Sequence, residues 1–413
     1  MRYCLLPLEY SSATMKAYDL KLEDKKMKHR FISKKYWKEI GTPFGSTNEK
    51  AARYDDCINL SIGDPDLITD KIIIDGAYED TLRGHTRYTN MYGDPELRQE
   101  IRNFYKEEYD LDIAQDEVIV TASGLIAMYS VLQAILDDGD EVIIQAPFFT
   151  PYTAQVKMAG GVPVELDTYE EEDFQINAGR LESLINERTK ALIINTPSNP
   201  SGSCLSENTM KELAKIVEKY DLIVIADDIY TSYSFEKDFI PFMCMPGMRE
   251  RTITINSFSK NFIMTGWRVG NIIAPSYIIK VLKDMSENII YSAPAPSQRA
   301  AIHALRNRKV VQPPVIEEYK KRMNYAADRV NRVSWMSVKT PPKGSFYLFI
   351  NIRESGLSSA QASEMILDKA HVLLLPGNAF GRCGEGYLRL ACTVGIQKLG
   401  EAFDRIEKIT LDK

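Results

Sequence analysis

The chain has 413 residues, 44% of them hydrophobic and 26% charged, with a formal net charge of −6. That is the balance of a soluble globular protein long enough for two domains, and its mild acidity gives no general attraction to nucleic acid or to an anionic membrane surface. Six cysteines (Cys4, Cys57, Cys204, Cys244, Cys383, Cys392) form no CxxC pair, and the four histidines show no metal-ligand spacing. Reduced thiols, a cytoplasmic location and no metal are therefore expected. The N-terminal apolar run is too short for a signal peptide, and no stretch approaches the ~20 apolar residues of a membrane span.

Residues 1–55 are polar and mixed, and 22–38 are Lys-rich with Phe31, Tyr36 and Trp37. This reads as a solvated arm or irregular helix, or as an arm packing over a functional site or a partner subunit. Residues 58–66 read as a short apolar strand ending in turn chemistry, where Gly63 lets backbone approach a ligand. Gly93-Asp94-Pro95-Glu96 is a helix start, with Asp94 as cap, Pro95 at the first helical position and Tyr88 in the loop before it. Residues 117–121 are strand-like, and Ser123-Gly124-Leu125 opens a stretch whose apolar spacing is helical over 126–137. A strand, a small-residue turn and a helix N-terminus suit a phosphate, because free N–H groups point outward and the dipole favours an anion. With one glycine this is no dinucleotide fingerprint.

A second buried strand over 140–146 leads to Phe149, placed either to stack on a flat ring or to fill the core. Another runs from 191 into a loop with Asn195 and Asn199; Pro200 biases Asn199 to extended backbone, aiming its amide at the strand-end crevice. A helix follows over 208–219. Residues 222–230 drive an apolar run into Asp227, Asp228 and Tyr230. A carboxylate at a buried strand end needs a partner, which a pyridinium nitrogen would supply, with Tyr230 donating to a phenolate oxygen of the same ring. The strand over 252–256 delivers Lys260 in Ser257-x-Ser259-Lys260, ahead of Arg268 between Gly266 and Gly270. A desolvated lysine does covalent chemistry on carbonyls, and an arginine fork matches phosphate oxygens. Together they describe pyridoxal phosphate.

Strand–helix alternation from about 117 to 275, with ligands at strand C-terminal ends, predicts an α/β layer sandwich on a mostly parallel sheet. Beyond it come a long helix over 315–333, strands around 344–349, a helix over 359–369 and a strand pair around 371–375 and 386–392, which predict a smaller α+β domain. The expected division is 1–60 (arm and part of the small domain), 61–300 (large cofactor-binding domain) and 301–413 (small domain). Arg389 lies in the last strand, where a cation is costly unless it meets an anion.

The ordered set Leu60-x-x-Gly63-x-Pro65, Tyr88 ahead of Gly93, Ser123-Gly124, Asn199-Pro-Ser-Gly, Asp227-x-x-Tyr230, Ser257-x-Ser259-Lys260, Gly266-x-Arg268-x-Gly270 and Arg389 resembles the class I/II aminotransferases, the fold-type I pyridoxal-phosphate enzymes. The resemblance covers roughly residues 55–410. It implies a seven-stranded-type sheet between helices, and ping-pong transfer of an amino group between an L-amino acid and a 2-oxo acid. Lys260 would hold the cofactor as a Schiff base and then move the substrate α-proton, which requires its pKa of roughly 10.4 to fall. Asp227 would pair with the pyridine nitrogen, Tyr230 and Asn199 would bond the phenolate oxygen, and Phe149 would stack on the ring. Ser123, Gly124, Leu125, Ser257, Ser259 and Arg268 would hold the phosphate. Tyr88 would reach the phosphate in the neighbouring subunit of a homodimer. Arg389 would grip the substrate α-carboxylate, with Gly63 and Asn199 assisting.

Leu125 departs from the pattern, since some aspartate-specific relatives place a lysine there. Neutral aliphatic or aromatic substrates are therefore expected over aspartate, unless Arg53 or Arg87 substitutes. Two alternatives remain open. One is a β-eliminating C–S lyase of the same fold. The other is a non-enzymatic cofactor-binding sensor domain, against which stands the lack of a helix-turn-helix pattern before residue 55.

Overall fold

The apolar runs of the sequence become neighbours in one sheet. A computed structural model describes residues 29–37 and 49–411. Its strands, in chain order, are β1 (Ile58–Asn59), β2 (Val118–Thr121), β3 (Glu141–Ala146), β4 (Val162–Asp167), β5 (Thr189–Asn195), β6 (Ile223–Asp227), β7 (Thr252–Ser257), β8 (Gly270–Ile273), β9 (Tyr347–Asn351), β10 (Val372–Leu373), β11 (Leu375–Pro376) and β12 (Tyr387–Ala391). The chain divides into two compact units, Met1–Gly41 and Thr42–Lys413, and all these strands belong to the second. In the first, the described residues hold one 3-10 turn, Lys34–Tyr36, with Phe31 exposed. The rest of the expected arm lies outside the described residues.

Seven strands form the main sheet in the order β2-β8-β7-β6-β5-β3-β4. β8 runs antiparallel to both its neighbours, and the other pairs are parallel. The expected mostly parallel α/β sandwich is therefore present. Its central strands are apolar throughout because helices cover both faces. Ile144, Ile193 and Ile225 pack on one side with Ala127, Val131 and Leu132 of the helix Gly124–Ile135. Ile143, Leu192 and Val224 pack on the other with Met210, Leu213 and Val217 of the helix Glu207–Lys219.

The C-terminal residues build an antiparallel sheet, β11-β12-β9. The single strand expected at 371–375 is divided: Val372–Leu373 pairs in parallel with Ile58–Asn59, and Leu375–Pro376 pairs with β12. Val372, Leu373, Leu374 and Leu375 are all buried, so no polar alternation marked the change of partner. The strand expected over 58–66 ends at Asn59, whose Oδ1 accepts from the Ser61 N–H and turns the chain. The long helix begins at Arg308 rather than 315, ahead of Pro313 and Pro314. Arg308 on Glu107 and Glu108, and Gln312 on Ser232, anchor the stretch before the prolines.

Register places the site. Asn195 at the end of β5 lies opposite Asp227 at the end of β6, and Asp227 lies opposite Ile255 in β7. Three parallel strands thus end together, in the crevice where open α/β sheets bind ligands.

Candidate active site

β7 ends at Ser257, whose side chain accepts from the Ser259 N–H and caps the short helix Phe258–Asn261. That turn throws Lys260 into the crevice. Its Nζ donates to the Gly63 carbonyl at 2.5 Å and lies 5.7 Å from the centre of the Phe346 ring. Burial pushes the amine down to about 8, and nearby Arg389 and Arg268 push it the same way against Asp64. The proton that would block attack on a carbonyl is therefore shed far more readily than from a solvated lysine.

Asp227 is buried, and burial raises its carboxyl to about 6. The Tyr152 hydroxyl donates to Oδ2 and the Ile229 N–H to Oδ1 at 3.3 Å, both favouring the ionised form. Asn195 ties the two strand ends together: its Nδ2 donates to the Asp227 carbonyl at 2.8 Å, and its Oδ1 accepts from the Asn199 N–H at 2.7 Å. Asn199 Oδ1 in turn accepts from Arg389 Nη1 at 3.0 Å, while Arg389 Nη2 donates to the Ser61 carbonyl. The buried guanidinium lies 4.6 Å over Tyr347 and 4.8 Å over Phe380. These contacts fix the plane of the guanidinium fork, a shape that matches a carboxylate. Tyr230 is buried with its hydroxyl 3.1 Å from that of Tyr347, and burial holds its pKa well above the ordinary tyrosine value.

The phosphate side is built on the helix Gly124–Ile135. Ser123 caps it with φ +105°, its hydroxyl accepting from the Ile126 N–H at 3.4 Å. Backbone crowding is close: a Cβ added at Gly270 would stand 2.9 Å from the Gly124 nitrogen. The Ser257 hydroxyl donates to that of Ser259 at 2.9 Å. Arg268 is exposed, with Nη1 donating to the Thr265 carbonyl at 2.7 Å. Leu125 is 44% exposed, and half-buried Phe149 sits edge-on to Tyr152 at 5.6 Å.

One expected residue stands apart from this constellation, and one sits within it on a contact the sequence did not indicate. Tyr88 is 81% exposed and packs on Tyr291 at 4.9 Å. Gly63 lies at the site for a different local reason than expected: a Cβ there would stand 1.8 Å from the Tyr347 hydroxyl. Its missing side chain makes room for that phenol, and its carbonyl holds the lysine. Sequence reasoning missed Tyr152 and Tyr347 and gave Asn195 no role. Tyr152 lies three residues beyond Phe149, and Tyr347 stood inside a run read only as strand. Among the described residues, no group of three or more His, Cys, Asp or Glu could hold a metal, and no helix is long and apolar enough to cross a membrane.

The fold and this lysine–aspartate–arginine arrangement agree with a sequence-family model for aminotransferase class I and II, which matches residues 55–406. The chain belongs to that family, whose members are pyridoxal-phosphate-dependent aminotransferases of fold type I. It is 40% identical over 371 residues to an aspartate aminotransferase of Pyrococcus abyssi, covering 88% of this chain and 94% of the relative. It is 37% identical over 364 residues to aromatic-amino-acid aminotransferase 2 of Thermococcus litoralis, covering 86% and 92%. The crystal structure of an aromatic aminotransferase from Pyrococcus horikoshii superposes with a TM-score of 0.83 at 36% identity, covering 88% and 98%.

The residues fit the cofactor. A buried carboxylate held, among the described residues, by a phenol and a backbone N–H suits a pyridinium, and a capped helix N-terminus with two serines and an arginine suits a phosphate.

Proposed function

We propose that this aminotransferase moves the amino group between an L-amino acid and a 2-oxo acid in two half-reactions, with Lys260 as both anchor and proton carrier. The observation that carries the reading is the convergence of Lys260, on the turn after β7, with Gly63, with Asp227 at the strand ends and with Arg389; burial of the amine lowers its pKa to about 8. When bound, pyridoxal phosphate supplies the carbonyl that takes the amine and the electron-withdrawing ring. Asp227 keeps a negative charge against the ring nitrogen, with Tyr152 holding one oxygen in place. With the cofactor bound, Tyr230 and Asn199 would hold the ring oxygen, Phe149 would cover the ring face, and Ser123, Gly124, Leu125, Ser257, Ser259 and Arg268 would hold the phosphate. Arg389 receives the substrate α-carboxylate on its fork, oriented by Asn199. Held there, the substrate would present its Cα–H to Lys260 Nζ, which would take the proton uncharged and return it charged.

Neutral aliphatic or aromatic substrates are proposed over aspartate. Leu125 brings no cation, and Arg53 is bound to Glu364, while Arg87 is exposed. The names of the relatives divide between aspartate and aromatic substrates, so the preference rests on these residues. We also propose a cytoplasmic homodimer in which Tyr88 reaches the partner's phosphate, and a division into 1–60, 61–300 and 301–413; β1 pairing with β10 supports assigning the end of the first segment to the small domain.

Borohydride reduction of the loaded enzyme followed by peptide mapping should place the cofactor on Lys260. Label on any other lysine overturns the assignment. A half-reaction screen across the amino acids, followed by the cofactor's absorbance, should show aromatic and aliphatic donors ahead of aspartate. Keto acid formed without any acceptor would point instead to the lyase.

A further inference from the structure

Tyr347 opens β9 and is buried among the groups of the site. Its hydroxyl is 3.1 Å from that of Tyr230 and fills the space beside Gly63. Its ring lies against the Arg389 guanidinium at 4.6 Å. Burial raises the pKa of both phenols, so both keep their protons near neutral pH. In a contact between two O–H groups only one donates. If Tyr230 turns its hydrogen to the ring oxygen of the cofactor, its own oxygen is left as an acceptor, and Tyr347 is the donor at hand.

We propose that Tyr347 is a positioning residue that joins the two halves of the site. Its hydroxyl donates to Tyr230, and its ring props the fork of Arg389. The inference rests on the reading of Tyr230 given above. A phenol that accepts a hydrogen bond becomes a better donor, and bonds in series strengthen one another where water is excluded. Tyr347 thus strengthens the hydrogen bond that Tyr230 gives to the ring oxygen, and that bond favours the ionised oxygen. Loss of the Tyr347 hydroxyl weakens it and makes the proton shared by Lys260 and the ring oxygen harder to remove.

The test is the visible-absorbance titration of the loaded enzyme, whose midpoint reports that proton. Tyr347→Phe should raise the midpoint by roughly half a unit. It should lower kcat several-fold and change the amino-acid KM less than about twofold, because the ring against Arg389 remains. Tyr347→Leu, which removes the ring as well, should also raise KM. In a Tyr230→Phe background, adding Tyr347→Phe should move the midpoint no further, because the hydroxyl then has nothing to act through. An unchanged midpoint in Tyr347→Phe overturns the proposal, as does an equal shift in both backgrounds. A Tyr230→Phe variant with the parental midpoint would instead remove the reading of Tyr230, and the inference with it.

Discussion

At the scale of single residues, the charges of the site are held under tension that a ligand relieves. Asp227 is the clearest case. Its folded pKa of about 6 lies above the ordinary aspartate value, so its ionisation costs stability in the cofactor-free protein. The cost is absent below about pH 4, grows as the carboxyl ionises, and is complete above pH 6. Asp227→Asn should therefore stabilise the cofactor-free protein at pH 8 by about 3 kcal/mol and leave it nearly unchanged at pH 4. Denaturant titrations at the two pH values measure this. The loaded enzyme should respond oppositely, losing cofactor affinity because the pyridinium loses its counter-charge. Arg389→Lys keeps the charge and discards the fork. It should raise the KM of every amino acid roughly 10–100-fold, whereas an effect on some substrates alone would mean that Arg389 reads side chains.

At the scale of elements, the turn from β2 into the helix Gly124–Ile135 carries backbone strain at the phosphate side. Ser123 holds φ +105°, a conformation that L-residues rarely adopt. Ser123→Gly should relieve it and raise the stability of the cofactor-free protein by about 1 kcal/mol, since glycine is nearly as good a cap as serine. Ser123→Ala loses the cap and keeps the strain, and should lower stability by about 1 kcal/mol. Thermal unfolding of the two variants decides it. Elements of this kind were readable from sequence because strand, turn and helix carry different residues. Asp94 caps its helix as the sequence indicated, and Ser123 caps the helix whose opening turn the sequence marked, whereas the short helix that Ser257 caps was not read from the sequence. The split of 371–375 between two partners was not readable, because four buried apolar residues do not encode which edge they pair with. Tyr347 and Tyr152 were equally opaque. A buried tyrosine and a tyrosine that bonds a catalytic group look alike until long-range packing brings Tyr230 or Asp227 to them.

At the scale of the whole molecule, one helix carries apolar side chains on two faces. Lys71–Leu82 buries Ile73, Ala77 and Asp80, and Gly76 meets the ring of His303 closely enough to exclude a side chain. On another face Ile74, Tyr78 and Leu82 fall at i, i+4 and i+8 and are exposed, Leu82 by 70%. Such a stripe is expensive in water and is the surface that the proposed second copy would cover. Tyr78→Lys combined with Leu82→Lys should yield monomers by sedimentation velocity. Unaltered dimers would place the interface elsewhere. The same variant should weaken phosphate retention if Tyr88 serves the neighbouring subunit.

The hydrogen bond from Lys260 to Gly63 reaches across two sheets. Gly63 rides on a segment hung from the C-terminal strands, where Leu60 exchanges bonds with Leu373 and Ala391, and the Asp66 N–H reaches Thr393. Lys260 belongs to the turn after β7. The reactive amine thus serves as a clasp, and chemistry on it must undo the clasp. Amide hydrogens of residues 61–66 should exchange with solvent faster once the lysine nitrogen is occupied, and slow again when an amino acid frees it. The rhythm of turnover would then be legible in deuterium, on the loop beside the reacting lysine.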